Sequence, residues 1–269
     1  MKRIVAIFLV LVAATITIPH EANASGDSGI RGSGDFKFIV APYAWLTNIT
    51  ARINARKRNA NVNVSFLDVL GSGGTLGTGL NIAAMSHVEV IYKDTIGVLS
   101  DINFASLGTN LSARSVSLSG KSTLFLADIV PFYRFGTWSV NKAGSLTLDG
   151  LAGVRVWNVR ADFDFDLKRF SPSISKETSW VDPIVGARAT WQFNEDWSLN
   201  LRGGLGGFGI CSDFTWDTTG LVGYTLWKQG TLYLGYRAVG VNREGGGRKD
   251  ALKVNGTLHG PIVGVAFNF

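Results

Sequence analysis

Val181-Asp182-Pro183-Ile184-Val185-Gly186-Ala187-Arg188-Ala189-Thr190-Trp191-Gln192-Phe193 carries an apolar residue at every odd position, while Asp182, Arg188, Thr190 and Gln192 occupy the other phase. A period of two describes a strand with one oily face and one ionic face. After the Asn194-Glu195-Asp196 turn the pattern resumes, with Trp197, Leu199, Leu201 and Leu205 alternating with Ser198, Asn200 and Arg202. The two segments therefore form a hairpin. Leu80 to Tyr92 repeats the alternation, as does Ile96 to Ser106 beyond Lys93-Asp94, with Asn81, His87, Glu89, Asp101 and Asn103 on the ionic phase.

Strands of this kind are expected near 36–52, 77–92, 96–107, 120–135, 145–163, 178–193, 197–210, 214–227, 231–242 and 254–269. The fold class is all-β, a closed antiparallel transmembrane β-barrel of about ten strands, because bare sheet edges cannot lie in hydrocarbon. Eight or twelve strands also fit. Asn61 to Phe66 supplies an extra short strand, and the phase slips near Val156 to Asn158 as it does at a bulge. An even count places both chain ends on one side, the periplasmic side in bacterial barrels, with short turns there and longer loops outside. Lys93 to Thr95, Gly136 to Gly144, Asn194 to Asp196 and Lys228 to Gly230 are the short turns; 53–76, 108–119, 164–177 and 243–253 are longer, and the outer connection near 211–213 is short. Apolar Ser65 to Leu70, inside the first loop, reads either as a short helix capping the lumen or as surface loop.

The start of the chain carries different information. Lys2 and Arg3 precede an apolar run from Ile4 to Ala14, and Ala22-Asn23-Ala24 forms an A-x-A site. Residues 1–24 are thus expected to be a signal peptide cut after Ala24, leaving 25–269 as the barrel domain. Without Lys2, Arg3 and Glu21 the formal charge falls from +6 to +5. An exported chain of that charge meets lipid phosphates rather than nucleic acid. The composition of 33 Gly, 8 Trp, 6 Tyr and 16 Phe with only 17% charged residues is unusual for a soluble core, and no later segment is apolar enough for a helical span. Cys211 is the single cysteine, so no intrachain disulfide forms.

Phe36, Phe38, Tyr133, Phe135, Trp191, Phe193, Trp197, Trp227, Tyr233, Phe267 and Phe269 cluster at the short-turn end, as an aromatic girdle does. Aromatics filling a sandwich core would not gather at strand ends. The last strand alternates through Pro261, Val263, Val265, Phe267 and Phe269. Such a strand ending in Phe resembles the assembly signal that the barrel-assembly machinery reads, with Val265, Phe267 and Phe269 as its outward set. Ala41-Pro42-Tyr43-Ala44-Trp45-Leu46, Val64-Ser65-Phe66-Leu67-Asp68-Val69-Leu70, Trp180-Val181-Asp182-Pro183, Gly206-Gly207-Phe208-Gly209, Ser212-Asp213-Phe214-Thr215-Trp216, Gly235-Tyr236-Arg237 and His259-Gly260-Pro261 are similar to a widespread family of proteobacterial outer-membrane barrels. The resemblance spans nearly all of 25–269 and implies the barrel fold and the outer membrane, but no reaction. Cys211 stands where that family tends to have Gly.

The ionic phase supplies the candidate site. Lys37, Glu89, Asp101, Asp128, Arg134, Asp149, Arg155, Asp182, Arg188, Arg202, Asp217 and Arg237 comprise six charges of each sign. In a narrow lumen they are expected to pair across it and fill it, the guanidinium groups binding carboxylates bidentately. The competing reading is a pore lined by charges, which balanced signs make poorly selective. Arg52, Arg56, Lys57, Arg58, Arg243, Arg248 and Lys249, with Lys168, Arg169 and Lys176, fall in the outer loops, where they are solvated or bind lipopolysaccharide phosphates.

Other chemistry finds little support. Gly204 to Gly209 matches G-x-G-x-x-G but no helix follows, and Gly120-Lys121-Ser122 lacks a phosphate loop's first glycine because Ser115 stands there. Beyond residue 24 the histidines are His87 and His259, neither at ligand spacing, so no metal or cofactor is expected. A surface protease or lipid-modifying barrel would need His259 with Asp213 or Asp217, yet His259 lies on the outward phase. A secreted ligand-binding sandwich is the remaining alternative.

Overall fold

The computed structural model describes residues 35–55, 58–66, 78–113, 116–140, 144–167, 173–245 and 252–269. Alternation becomes strand throughout: β1 Phe36–Trp45, β2 Asn48–Ala55, β3 Arg58–Val64, β4 Thr78–Tyr92, β5 Ile96–Ala113, β6 Val116–Ser139, β7 Ser145–Leu167, β8 Ser173–Gln192, β9 Trp197–Gly206, β10 Phe214–Trp227, β11 Gly230–Gly245 and β12 Leu252–Asn268. Each of β4 to β11 pairs antiparallel with the next, β1 pairs with β4, and β1 also pairs with β12, which closes the sheet. Phe38 and Phe269 exchange backbone hydrogen bonds of 3.1 and 2.9 Å at this seam.

The wall has ten strands, because β1 and β2 are two halves of one. Both lie on β12 in a single register, Trp45 opposite Ile262 and Asn48 opposite His259. The interruption at Leu46 and Thr47 faces Pro261, which has no N–H to give the ladder; Leu46 N instead donates to Pro261 O at 2.9 Å. β3, the extra strand expected near Asn61, folds back on β2 as a hairpin outside the closed wall.

Side-chain direction separates barrel from sandwich. Val185 is 51% exposed and Trp191 39%, whereas Asp182 and Arg155 are wholly buried. A two-layered core would bury the first pair and leave the second in water. Here the oily face looks out and the ionic face looks in.

Three expectations need correction. The pairings of β7 run unbroken through Val156 to Asn158, so no bulge lies there; the irregularity falls between Arg134 and Gly136. The apparent slip arises because Trp157, an apolar residue, is on the inward phase. β9 stops at Gly206 rather than near 210, and 207–213 forms a turn in which Gly207, Phe208 and Gly209 all adopt positive φ. Finally, β5 to β8 consume most of the loops expected at 108–119 and 164–177. Backbone pairing continues past the apolar belt, where outward positions turn polar at Lys121, Arg160, Asp162 and Glu177 and so look like loop in sequence.

Candidate functional site

Inward-facing charges from six strands meet at the middle of the lumen. Asp128 on β6 sits directly opposite Arg155 on β7, and Arg155 donates from Nε at 2.7 Å and Nη2 at 2.9 Å to its two oxygens. The same Nη2 reaches Asp217 on β10 at 2.6 Å, and Nη1 reaches the Thr215 hydroxyl at 3.3 Å. Arg202 on β9 bridges Asp101 and Asp128, 3.0 Å to each. Arg237 on β11 donates to the Tyr43 hydroxyl at 3.1 Å and to Asp101 at 3.4 Å. Tyr43 in turn donates to Asp101 at 2.9 Å.

A second group lies closer to the short-turn end. Arg188 on β8 binds Glu89 and Asp149, and Arg134 donates to the other oxygen of Asp149 at 2.9 Å. His87 joins the two groups: Nε2 is 2.8 Å from Glu89 and Nδ1 is 3.2 Å from Asp101. Desolvated charges are tolerated when each is met by an opposite charge and further hydrogen bonds; every charge here faces an opposite one, while Asp217 Oδ2 and Arg237 Nε and Nη2 are buried with no hydrogen-bond partner among the described residues.

Apolar side chains fill the space around these charges. Trp45, Leu126, Trp157, Val239, Val241, Leu258 and Ile262 form one buried cluster, and Ile91, Leu99, Val130, Phe132, Leu151 and Ile184 another. Guanidinium groups cap them by stacking, Arg237 over Trp45 at 5.0 Å and Arg188 over Phe132 at 4.8 Å. Trp180 stacks on Trp157 with centroids 5.5 Å apart, and Arg243 lies 4.2 Å above Trp180.

Ten of the twelve predicted lumen charges thus join the two groups. Lys37 does not: at the short-turn rim it pairs with exposed Asp94 at 2.7 Å, because the first strand enters the wall only there. Asp182 is buried in the lumen but takes no guanidinium among the described residues; it accepts from Ser212 N at 2.8 Å, Ser212 Oγ at 2.7 Å and Trp180 Nε1 at 3.0 Å. Ser212 of the 207–213 turn, buried at 0% exposure, supplies two of the charge's partners and Trp180 of β8 the third.

The outer-loop cations divide. Arg52 is exposed on β2. Arg243 is not a loop residue; β11 extends further than expected and turns it inward onto Trp180. Lys176 belongs to β8, and Arg58 to β3. Arg56, Lys57, Lys168, Arg169, Arg248 and Lys249 lie outside the described residues, as do Leu67 to Leu70 and the whole of residues 1–24.

Most of the predicted girdle is outward and exposed, including Phe36, Phe38, Tyr133, Phe135, Trp191, Trp197, Trp227 and Phe269, while Phe267 packs 6.2 Å from Trp227. Tyr233 is the exception, since its position on β11 shares the inward phase of Arg237. Val265 pairs with Leu232 on the outward phase. His259 also faces outward, its Nδ1 2.6 Å from the Tyr236 hydroxyl. Asp217 faces the lumen, so the wall separates the two.

Several lumen residues were not singled out from sequence. Tyr43 and Trp45 share the inward phase of β1, and Trp180 that of Asp182; reading the phase of aromatic as well as charged residues would have found them. Ser212 carried no signal, because its role depends on how a turn folds.

No family model and no curated protein sequence matches the chain. Solved structures do. The outer-membrane protease OmpT of Escherichia coli aligns at a TM-score of 0.50 with 8% identity, over 87% of this chain and 97% of that one. The translocator domain of the autotransporter NalP from Neisseria meningitidis aligns at 0.35 and 9% identity, over 89% and 90%. Ail, the attachment invasion locus protein of Yersinia pestis, in complex with the heparin analogue sucrose octasulfate, aligns at 0.34 and 11%, over 87% and 99%. The likeness to OmpT is one of fold. The chain has the closed antiparallel ten-stranded fold of outer-membrane β-barrels, with a buried network of charges inside it.

Proposed function

We propose that this protein is an integral barrel of the bacterial outer membrane, a member of the proteobacterial family its motifs resemble. In this reading it serves a structural role, with a lumen closed by its own side chains. The observation that carries the proposal is that Arg155 and Asp128, at the centre of the lumen, are wholly buried. A conducting path needs water around such charges. Signal-directed export, cleavage after Ala24, recognition of Val265, Phe267 and Phe269 by the assembly machinery, and contact of Arg52 with lipopolysaccharide belong to the same proposal.

The barrel performs no covalent chemistry in this reading. The separation of His259 from Asp217 by the wall supports that part, because a general base and its orienting carboxylate need to share a face.

The test has two steps. The membrane fraction extracted in detergent should migrate faster unheated than boiled, and the purified barrel should show no steady single-channel conductance in planar bilayers. Steady conductance in the unmodified protein would overturn the closed lumen. Recovery of the chain as a soluble periplasmic protein would overturn the membrane assignment.

A further inference from the structure

The outward wall of β8, β9 and β10 carries a cavity of about 680 Å³ whose floor includes Ala187 and Gly203 and whose banks are Val185, Leu205, Phe214 and Trp216. It is an open groove rather than an enclosed pocket. Gly203 creates it. Glycine weakens a strand interior and usually persists where another backbone approaches closely, as at Gly186, whose added Cβ would strike the Gly203 carbonyl. Gly203 has no such reason: a Cβ there meets only the Asp217 carbonyl oxygen, at 3.9 Å. Two other outward glycines are roofed by rings, Gly150 by Phe135 and Gly240 by Trp216. Because the Trp216 indole is laid over Gly240, it is turned away from Gly203 and leaves that position uncovered.

Resting on the membrane reading above, we propose that this groove seats one acyl chain of an outer-leaflet lipid, namely the lipid A part of lipopolysaccharide. The groove is continuous with the apolar belt, since Val185 and Leu205 belong to the same outward phase as Trp191 and Leu201 and are about half exposed. It runs from Gly203 to Phe214, beside the 207–213 turn at the end away from the girdle, which is the outer-leaflet half.

The unmodified barrel and Gly203→Leu are reconstituted in nanodiscs containing deep-rough lipopolysaccharide and phosphatidylethanolamine, released into mild detergent and weighed by native mass spectrometry. The unmodified protein should retain about one lipopolysaccharide, and Gly203→Leu roughly tenfold less or lower still. Ala84→Leu, exposed on the outward face of β4 across the barrel from the groove, should retain as much as the unmodified protein. Heat-modifiable migration is measured on every sample, so a lost barrel is distinguished from a lost lipid; failure of the unmodified protein to migrate in this way counts against the membrane reading itself. Equal lipopolysaccharide on Gly203→Leu, retention of phosphatidylethanolamine instead, or a dimer of the unmodified protein that Gly203→Leu dissociates would each overturn the proposal.

Discussion

Arg155 grips both oxygens of Asp128 across the β6–β7 pair and, through one shared nitrogen, reaches Asp217 on β10. A neighbouring-strand contact is thereby tied to one across the lumen. Arg202 donates to the same aspartate at 3.0 Å and Arg237 Nη2 stands 3.6 Å from it, so three guanidinium charges converge on Asp128, the acceptor that Arg155 and Arg202 share.

Removing that acceptor should cost more than removing any one donor. Asp128→Asn leaves Arg155 fully buried with only part of its charge compensated, a situation worth roughly 3–5 kcal/mol of stability. Arg202→Gln, at a more peripheral site, should cost less. Urea unfolding in lipid vesicles, followed by tryptophan fluorescence, measures the difference; equal and small effects would mean that water reaches these charges.

Phase, not residue type, made most of this arrangement legible in sequence. Glu89, Asp101, Asp128, Arg155, Arg188 and Arg237 fall in the lumen because alternation fixes which face each occupies. Arg243 and Lys37 escaped the same reading for opposite reasons. Arg243 lies on a strand that continues beyond the apolar belt, where polar outward residues erase the contrast between strand and loop. Lys37 has the inward phase but stands at a rim, where water competes with the lumen. Asp182 has the inward phase, but two of its hydrogen bonds come from Ser212, on a turn whose path no periodicity encodes.

Two glycines should respond oppositely to the same change. At Gly235 an added Cβ would overlap the Gly220 carbonyl oxygen, a backbone atom that cannot move aside, whereas Gly203 has open space. Gly235→Ala should therefore yield little heat-modifiable barrel and Gly203→Ala a normal amount. Similar folded yields would show that β10 and β11 are further apart than described.

Cys211 provides a test of orientation that needs no added label site. It is free and exposed on the 207–213 turn, at the opposite end of the wall from the Lys93 to Thr95 turn. A membrane-impermeant maleimide should modify it on intact cells. In a Cys211→Ser background, Asp94→Cys should be modified only after the envelope is permeabilised. The reverse order would invert the barrel in the membrane.

Ser212 tests whether the turn is part of the lumen or merely near it. Asp182 is buried without a guanidinium partner among the described residues, and Ser212 gives it both a backbone and a hydroxyl hydrogen bond, while Trp180 Nε1 donates to both side chains. Ser212→Ala removes one charge-assisted bond and should cost about 1.5–3 kcal/mol. The backbone bond and Trp180 remain, so the barrel should still fold. Because Trp180 stacks on Trp157, loosening it should also change the near-ultraviolet circular dichroism of the folded protein. Asp182→Asn with Ser212→Ala should recover part of the loss, since the neutral amide is cheaper to bury. If Ser212→Ala leaves both stability and the tryptophan signal untouched, the turn does not hold the carboxylate, and Asp182 must be met by another group.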